Sequence, residues 1–423
     1  MQALVTAVLE AIVIFLFLSG AACFAIMVQG TLVLRRLARQ SPREDNLTLL
    51  KSRLVPAVSV IVAPQDLSAA SRALVRLLVG LHFGDHEVVV ALDGPSDADL
   101  AAWSEEFHLA MSLRRVAGEL PMGAVRTVLE SRDPIRLAVI VLERSGLALS
   151  LNAAVNAANS PVIGLFGPEC EFEPEALLRL IPYMLEDSQR VIAVCAVAPA
   201  ETPKGIFSQF AALDFLRSWL SRQAAFSGWN LLMPTSGSAI LIAREYILKA
   251  GGFRAGVLEF FLRLHARARA SKRAYSVAFA PAAGCRQRTP RSLAELHGWV
   301  ARDQRGTARA VFTPGLPWWF RCGLVLVRFL RPLLETFAYI LAAVGWWAGW
   351  VATPLALLVL LATVGLGMFL SMAAVSFREL AEFHGSDPVR LAKLFFAAIP
   401  ENLGFRQLRN LWLLAPWHKR VDW

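Results

Sequence analysis

The chain has 423 residues, 43 Lys and Arg against 33 Asp and Glu, and a net charge of +10. Charged residues are 18% and hydrophobic residues 56%, against roughly 25% charged in ordinary soluble domains, and mean hydropathy is +0.49. This balance excludes a disordered chain and argues against a purely soluble one; the length admits one large domain plus a membrane part. The five cysteines (Cys23, Cys170, Cys195, Cys285, Cys322) are scattered and form no C-x-x-C pair. Neither a disulfide framework nor a structural zinc site is expected, and they read as reduced cytosolic thiols.

Residues 11–34 are nearly unbroken apolar sequence, and a helix of about 20 such residues crosses a bilayer core. Arg35, Arg36 and Arg39 follow at once, and no basic residue precedes the stretch. It therefore lacks the basic n-region of a signal peptide, and neither cleavage nor lipidation at Cys23 is expected. The positive-inside rule puts the amino terminus outside and the arginines in the cytoplasm.

Residues 55–312 carry ordinary globular punctuation. PAVSVIVAP (56–64), EVVVAL (87–92), LAVIVLE (137–143) and SPVIGLF (160–166) read as buried strands by length and β-branched content. SAASRALVRLLVGL and LNAAVNAAN have helical character, and Asp93-Gly94-Pro95-Ser96-Asp97 is a turn with helix-capping residues. Alternating strand and helix imply an α/β fold with a mostly parallel sheet and helices on both faces. Ligands of such sheets bind at the carboxyl ends of the strands, where Asp93 and the Gly167-Pro168-Glu169 turn fall.

Past residue 312 the sequence turns apolar again. Residues 314–330 mix Trp, Phe and Leu with Arg321 and Arg328 and read as a helix lying in the membrane interface. Residues 333–351 and 352–377 are two further candidate spans, joined by a hairpin whose Trp346, Trp347 and Trp350 suit an aromatic belt at the outer face. Arg331 and Arg378 flank the pair on the cytoplasmic side. Glu10 and Glu335 fall near helix ends, where a carboxylate reaches water without a functional role. Residues 387–414 read as interfacial or re-entrant rather than as a full span, and His418-Lys419-Arg420 favour a cytoplasmic end. Three regions result: an anchor and basic linker (1–54), an α/β domain (55–312), and interfacial and transmembrane helices (313–423).

Several blocks, in order, resemble the membrane-bound family-2 glycosyltransferases of GT-A fold, the group that includes poly-N-acetylglucosamine and hyaluronan synthases. VSVIVAP resembles their opening strand, EVVVALDGPSDADL the E-V-V-V-V-D-D-G-S-x-D stretch, and LALSLNAAVNAANSPVIGLF the K-x-x-A-L-N-A-G-L block. FEPEALLRLIPYML resembles the segment just after the metal motif, and FLRLHARARASKRAYSVAFAP the helix and strand after the general-base motif. LAELHGWVARDQRGTARAV resembles the helix of Q-x-x-R-W, and GFRQLRNLWLL the tail. The resemblance implies a GT-A domain on a membrane platform. In that family a D-x-D-held metal neutralises the leaving diphosphate, an Asp is the general base, and the Arg of Q-x-x-R-W clamps phosphate.

The charged positions of those motifs have nearly all changed. Asp93 stands at the uridine-side aspartate, but Leu92 precedes it, and Leu67, beside Asp66, replaces the acid after the first strand. Leu147 and Leu149 replace a lysine and an aspartate. Gly167-Pro168-Glu169 replaces D-x-D, leaving Glu169 as the one candidate metal ligand. Val257 occupies the general-base position, with Glu259 nearby, and Q-x-x-R-W keeps only Arg302, next to Asp303. If the chain is active, Asp93, Glu169 and Arg302 would bind the nucleotide-sugar, with Mg2+ or Mn2+; otherwise no cofactor is expected. The plainer readings are a turn cap for Asp93, a solvated loop carboxylate for Glu169, a helix ion pair for Glu259 and a salt bridge to Asp303 for Arg302. If the site is empty of chemistry, Leu147, Leu149, Phe166 and Val257 should fill it. The seven His show no metal-binding spacing and no Gly-rich phosphate loop is present. The expected partners are membrane lipids and an active paralogue or polysaccharide-assembly complex, and not nucleic acid, because the arginines flank the apolar spans.

Overall fold

A computed structural model describes residues 2–40, 55–167, 169–187, 190–199, 205–235, 237–281, 283–312, 317–381 and 388–414. The four β-branched runs become β1 (Val58–Val62), β2 (His86–Asp93), β5 (Leu137–Leu142) and β6 (Val162–Phe166). Between and after them come β3 (Leu109–Met111), β4 (Val125–Ser131), β7 (Cys170–Phe172), β8 (Val191–Ala196), β9 (Ala239–Ala243), β10 (Ser276–Phe279) and β11 (Cys285–Gln287). Nine of these make one sheet, in the order β10-β8-β9-β6-β1-β2-β5-β4-β3, and β11 pairs with β7 apart from it. The central β6-β1-β2-β5 block is parallel; within the sheet, β4 and β9 run against their neighbours.

Burial on both faces explains why these runs are continuously apolar. Val88, Val90 and Leu92 join one core with helices Ala69–Val79, Asp97–Phe107 and Ala176–Leu185. Val89 and Ala91 join the other with helices Leu147–Ala157 and Ile206–Ser218. The helix after β2 starts in a capping box: Ser96 accepts from the Asp99 N–H, and the Asp99 side chain accepts from the Ser96 N–H.

The second core does not end with the α/β domain. Met27 and Leu34, on the long amino-terminal helix Gln2–Gln40, belong to it, as do Leu370, Ala374 and Val375 of helix Leu366–Ala381. The first half of the long helix packs elsewhere. Leu9, Ile12, Val13 and Leu16 cluster with Ala338 and Ala342 of helix Arg331–Trp347, and with Val359 and Ala362. The expected span 11–34 is thus divided: its second half is claimed by the domain. Gly30 makes this docking possible, because a Cβ there would fall on the carbonyl oxygen of Leu220 in the π-helical turn Trp219–Ala225. Two helical stretches, Gln2–Arg39 and Thr353–Ala381, are long and apolar enough to cross a membrane.

A buried polar layer joins the domain to these helices. Arg217 donates to Glu401 at 2.6 Å and to Asp214 at 3.1 Å, and Arg409 pairs with Asp214. Arg406 pairs with Glu335 at 2.7 Å, and Asn410 donates to Glu335 at 3.1 Å. Glu335 is 2% exposed, which corrects the expectation that it reaches water: Arg406, far along the chain, supplies its counter-charge instead. Glu10 is exposed. Burial would raise the Asp214 carboxyl, but the Arg409, Arg217 and Arg328 guanidiniums beside it hold it well below the usual range.

Residues 318–330 are helical, with Trp318 and Trp319 exposed and Phe320 and Leu324 buried against Leu231, Met233 and Leu262. Residues 388–414 fold as two helices around a π-helical turn, Glu401–Phe405. The linker residues 41–54, the segment 313–316 and His418-Lys419-Arg420 lie outside the described residues.

Candidate functional site

Parallel strands β6, β1 and β2 are adjacent, so Gly167 and Asp93 end on the same edge of the sheet, two strands apart. Asp93 is the last residue of β2, and its carboxylate faces the loop after β5. Oδ1 accepts from the Ser145 N–H at 2.6 Å and from Ser145 Oγ at 3.1 Å; Oδ2 accepts from the Gly146 N–H at 2.9 Å. Gly146, at φ 93°, precedes the helix Leu147–Ala157. Asp93 therefore orders the turn that starts this helix.

Glu259 lies in the first turn of helix Val257–Ala270 and makes a two-point pair with Arg263, Nε to Oε1 at 2.9 Å and Nη2 to Oε2 at 3.1 Å. Arg263 also donates to the carbonyls of Ala250 and Gly252. The pair thus fixes the turn before the helix. Val257 is half-buried and packs on the main core. Of the other residues expected to fill the cleft, Leu147 is half-buried against that core and Leu149 is half-buried, but Phe166, 3% exposed, belongs to the core on the other face of the sheet and does not join them.

Glu169 immediately precedes β7 and is half-buried; its carbonyl accepts from the Arg288 N–H at 2.8 Å. Arg302 lies on helix Leu293–Phe312, and its side chain, like that of Asp303, is outside the described residues. Asp66 accepts from Ser68 Oγ at 2.9 Å and Ser71 Oγ at 2.6 Å, just before the helix Ala69–Val79, and these hydroxyls lower its carboxyl. Among the described residues, no three His, Cys, Asp or Glu side chains are grouped to hold a metal ion, and at the D-x-D position the donor set reduces to Glu169.

One positioning residue, the asparagine of the L-N-A block, has no role assigned to it from the sequence. Asn152, 1% exposed, donates to the carbonyls of Pro121 at 2.8 Å and Phe253 at 3.0 Å, and accepts from the Phe253 N–H at 2.7 Å. It ties the segment leading to Val257 onto the helix Leu147–Ala157, whose first turn Asp93 orders. Asn156, one turn on, accepts from the Leu120 N–H at 3.0 Å and donates to its carbonyl at 2.9 Å. Two asparagines four apart on an otherwise apolar helix are the signal in the sequence.

No protein-family profile and no curated protein matches the chain. Solved structures do. The mannosyltransferase PcManGT from Pyrobaculum calidifontis, in complex with GDP-Man and Mn2+, superposes with a TM-score of 0.53 at 19% identity, covering 94% of this chain and 99% of that one. Glucosyl-3-phosphoglycerate synthase from Mycobacterium tuberculosis (15% identity, 64% and 84% coverage, TM-score 0.37) and TarS from S. aureus (13%, 83% and 92%, TM-score 0.39) also match, at scores too low to add weight. The fold is therefore that of the GT-A glycosyltransferases. Likeness of fold at this identity does not carry an activity with it.

Proposed function

We propose that the chain is a membrane-integral GT-A protein without transferase activity, a partner of an active synthase in cell-surface polysaccharide or glycolipid assembly. Its α/β domain would face the cytoplasm on the inner membrane. The observation that carries this reading is the state of the general-base position: Val257 stands there, and the neighbouring carboxylate, Glu259, is held by Arg263. An inverting transferase without its base loses roughly 100- to 10,000-fold in rate. Asp93 supports the same reading, because its carboxylate already accepts three hydrogen bonds from the chain.

The membrane part of the proposal is supported by the apolar faces that the helices leave open. Leu333, Phe337, Ile340 and Val344 form an exposed stripe on helix Arg331–Trp347, and Ile14 and Leu18 are exposed on the amino-terminal helix. Trp346 and Trp347 lie exposed at the hairpin end, where an interfacial belt would place them.

A second reading, an active inverting transferase with a reduced site, is favoured by Glu169, which stands at the D-x-D position beyond the end of β6. Titration calorimetry with Mn2+ and a panel of UDP- and GDP-sugars separates the two. Absent or millimolar binding is expected. Metal-dependent micromolar binding, abolished by Glu169→Gln, would replace the first reading with the second.

A further inference from the structure

The buried layer between the α/β domain and the apolar helices holds a cation with no carboxylate of its own. Arg217, Arg406 and Arg409 are matched to Glu401, Glu335 and Asp214. Arg331 is not. It is 7% exposed. Among the described residues its Nη1 reaches Cys23 Sγ, at 3.5 Å, and its Nε and Nη2 have no partner. Glu335, one turn along the same helix, attracts Arg331 but makes its ion pair with Arg406. A guanidinium withdrawn from water and left without an anion is strongly unfavourable.

The unmatched atoms define what would satisfy them. Nε and Nη2 share one edge of the guanidinium and present two parallel N–H groups, the geometry that grips an oxyanion at two points. Arg406, close enough to repel Arg331, also has an Nε without a partner among the described residues, so an anion with several acceptor oxygens would serve both. The exposed apolar stripe of helix Arg331–Trp347 begins two residues beyond Arg331, at Leu333. The donors therefore lie just inside the end of an apolar stripe, where a lipid headgroup would lie if that stripe faces hydrocarbon.

We infer that this joint binds a phosphate group, gripped by Arg331 and neighboured by Arg406, and that an anionic lipid headgroup supplies it. The lipid source rests on the membrane reading above; the phosphate chemistry does not, and neither depends on whether the chain transfers sugar.

The test uses the full chain in nanodiscs of phosphatidylcholine, with or without phosphatidylglycerol, and in a separate arm with inorganic phosphate added to phosphatidylcholine discs. The unfolding midpoint of the native chain should rise by about 3 °C or more with phosphatidylglycerol. Arg331→Met should lose that rise, and the exposed-residue control Arg126→Gln should keep it. Arg331→Lys keeps the charge but not the two-point edge, and should retain phosphatidylglycerol about ten-fold less well by native mass spectrometry; this readout serves if Arg331→Met fails to fold. A response to inorganic phosphate alone, lost in the Arg331 variants, would keep the site and assign it to a soluble anion. No response in either arm, or one that survives both Arg331 substitutions, would overturn the inference. Failure to enter nanodiscs would strike the membrane reading instead, and the phosphate arm, run in solution, would still decide this one.

Discussion

At the scale of single residues, charge in the α/β domain is engaged in holding loops. Asp93 satisfies two backbone N–H groups and one hydroxyl at the start of helix Leu147–Ala157. Asp93→Ala should destabilise the fold by about 1–3 kcal/mol and speed amide exchange at Ser145 and Gly146. Unchanged exchange there would mean that Asp93 is held for a ligand. His265 gives a pH prediction. Burial lowers its imidazole from 6.5 to about 4, and its Nε2 lies 2.8 Å from the Leu232 carbonyl. Because the folded value lies below the unfolded one, the unfolded chain takes up a proton first as pH falls. Stability from this residue is complete above about pH 6.5 and is lost between there and pH 4, with a ceiling on the order of 3 kcal/mol. Denaturant titrations at pH 7 and 5 should show the drop, reduced in His265→Gln; equal drops in both proteins would refute the assignment.

At the scale of elements, the long amino-terminal helix does two jobs with one sequence. Its first half packs with the carboxyl-terminal hairpin, and its second half lies on the π-helical turn Trp219–Ala225. Gly30 faces the Leu220 carbonyl with no room for a Cβ. Gly30→Val must push the helix off the Leu220 carbonyl, and overpacking of this kind costs about 1–3 kcal/mol. The unfolding midpoint in detergent should fall, and the bond from Arg35 Nε to the Leu380 carbonyl, at 2.8 Å in the native chain, should be weakened. Gly118→Ala, placed where an added Cβ meets nothing, is the matched control. Equal stability of the two variants would mean that the helix is not seated on that turn.

For the whole molecule, the membrane placement proposed above predicts which parts share a side. Residues 27–40 and 366–381 both pack on the α/β domain, so the ends of the two longest apolar helices that touch the domain lie together. Reporter fusions at Ser41 and after Trp423 should both read as cytoplasmic, and the helix end at Trp346 and Trp347 should be labelled only from outside. An external signal at Ser41 would reverse the topology.

The parallel centre of the fold was legible because strands buried on both faces are apolar at nearly every position; a buried exception, Ser59, is satisfied by Glu87. VSVIV and LAVIVL therefore announce themselves without any knowledge of their neighbours. The capping turn at Ser96 and the ion-paired reading of Glu259 were legible for a similar reason, since caps and i,i+4 pairs are local in sequence; the bonds of Asp93, expected to cap its own turn, go instead to Ser145 and Gly146 in the distant loop after β5. The antiparallel insertion of β9 between β6 and β8 was not, and neither was the clamp made by Asn152. The fate of Glu335 was settled by Arg406, and that of the helix after residue 23 by the domain it meets. An apolar segment or a buried carboxylate states only that it needs a partner. Which partner it finds depends on long-range packing, and the tertiary structure alone gathers Arg217, Arg328, Arg331, Arg406 and Arg409 with Asp214, Glu335 and Glu401 into one layer, where, among the described residues, Arg331 makes no ion pair.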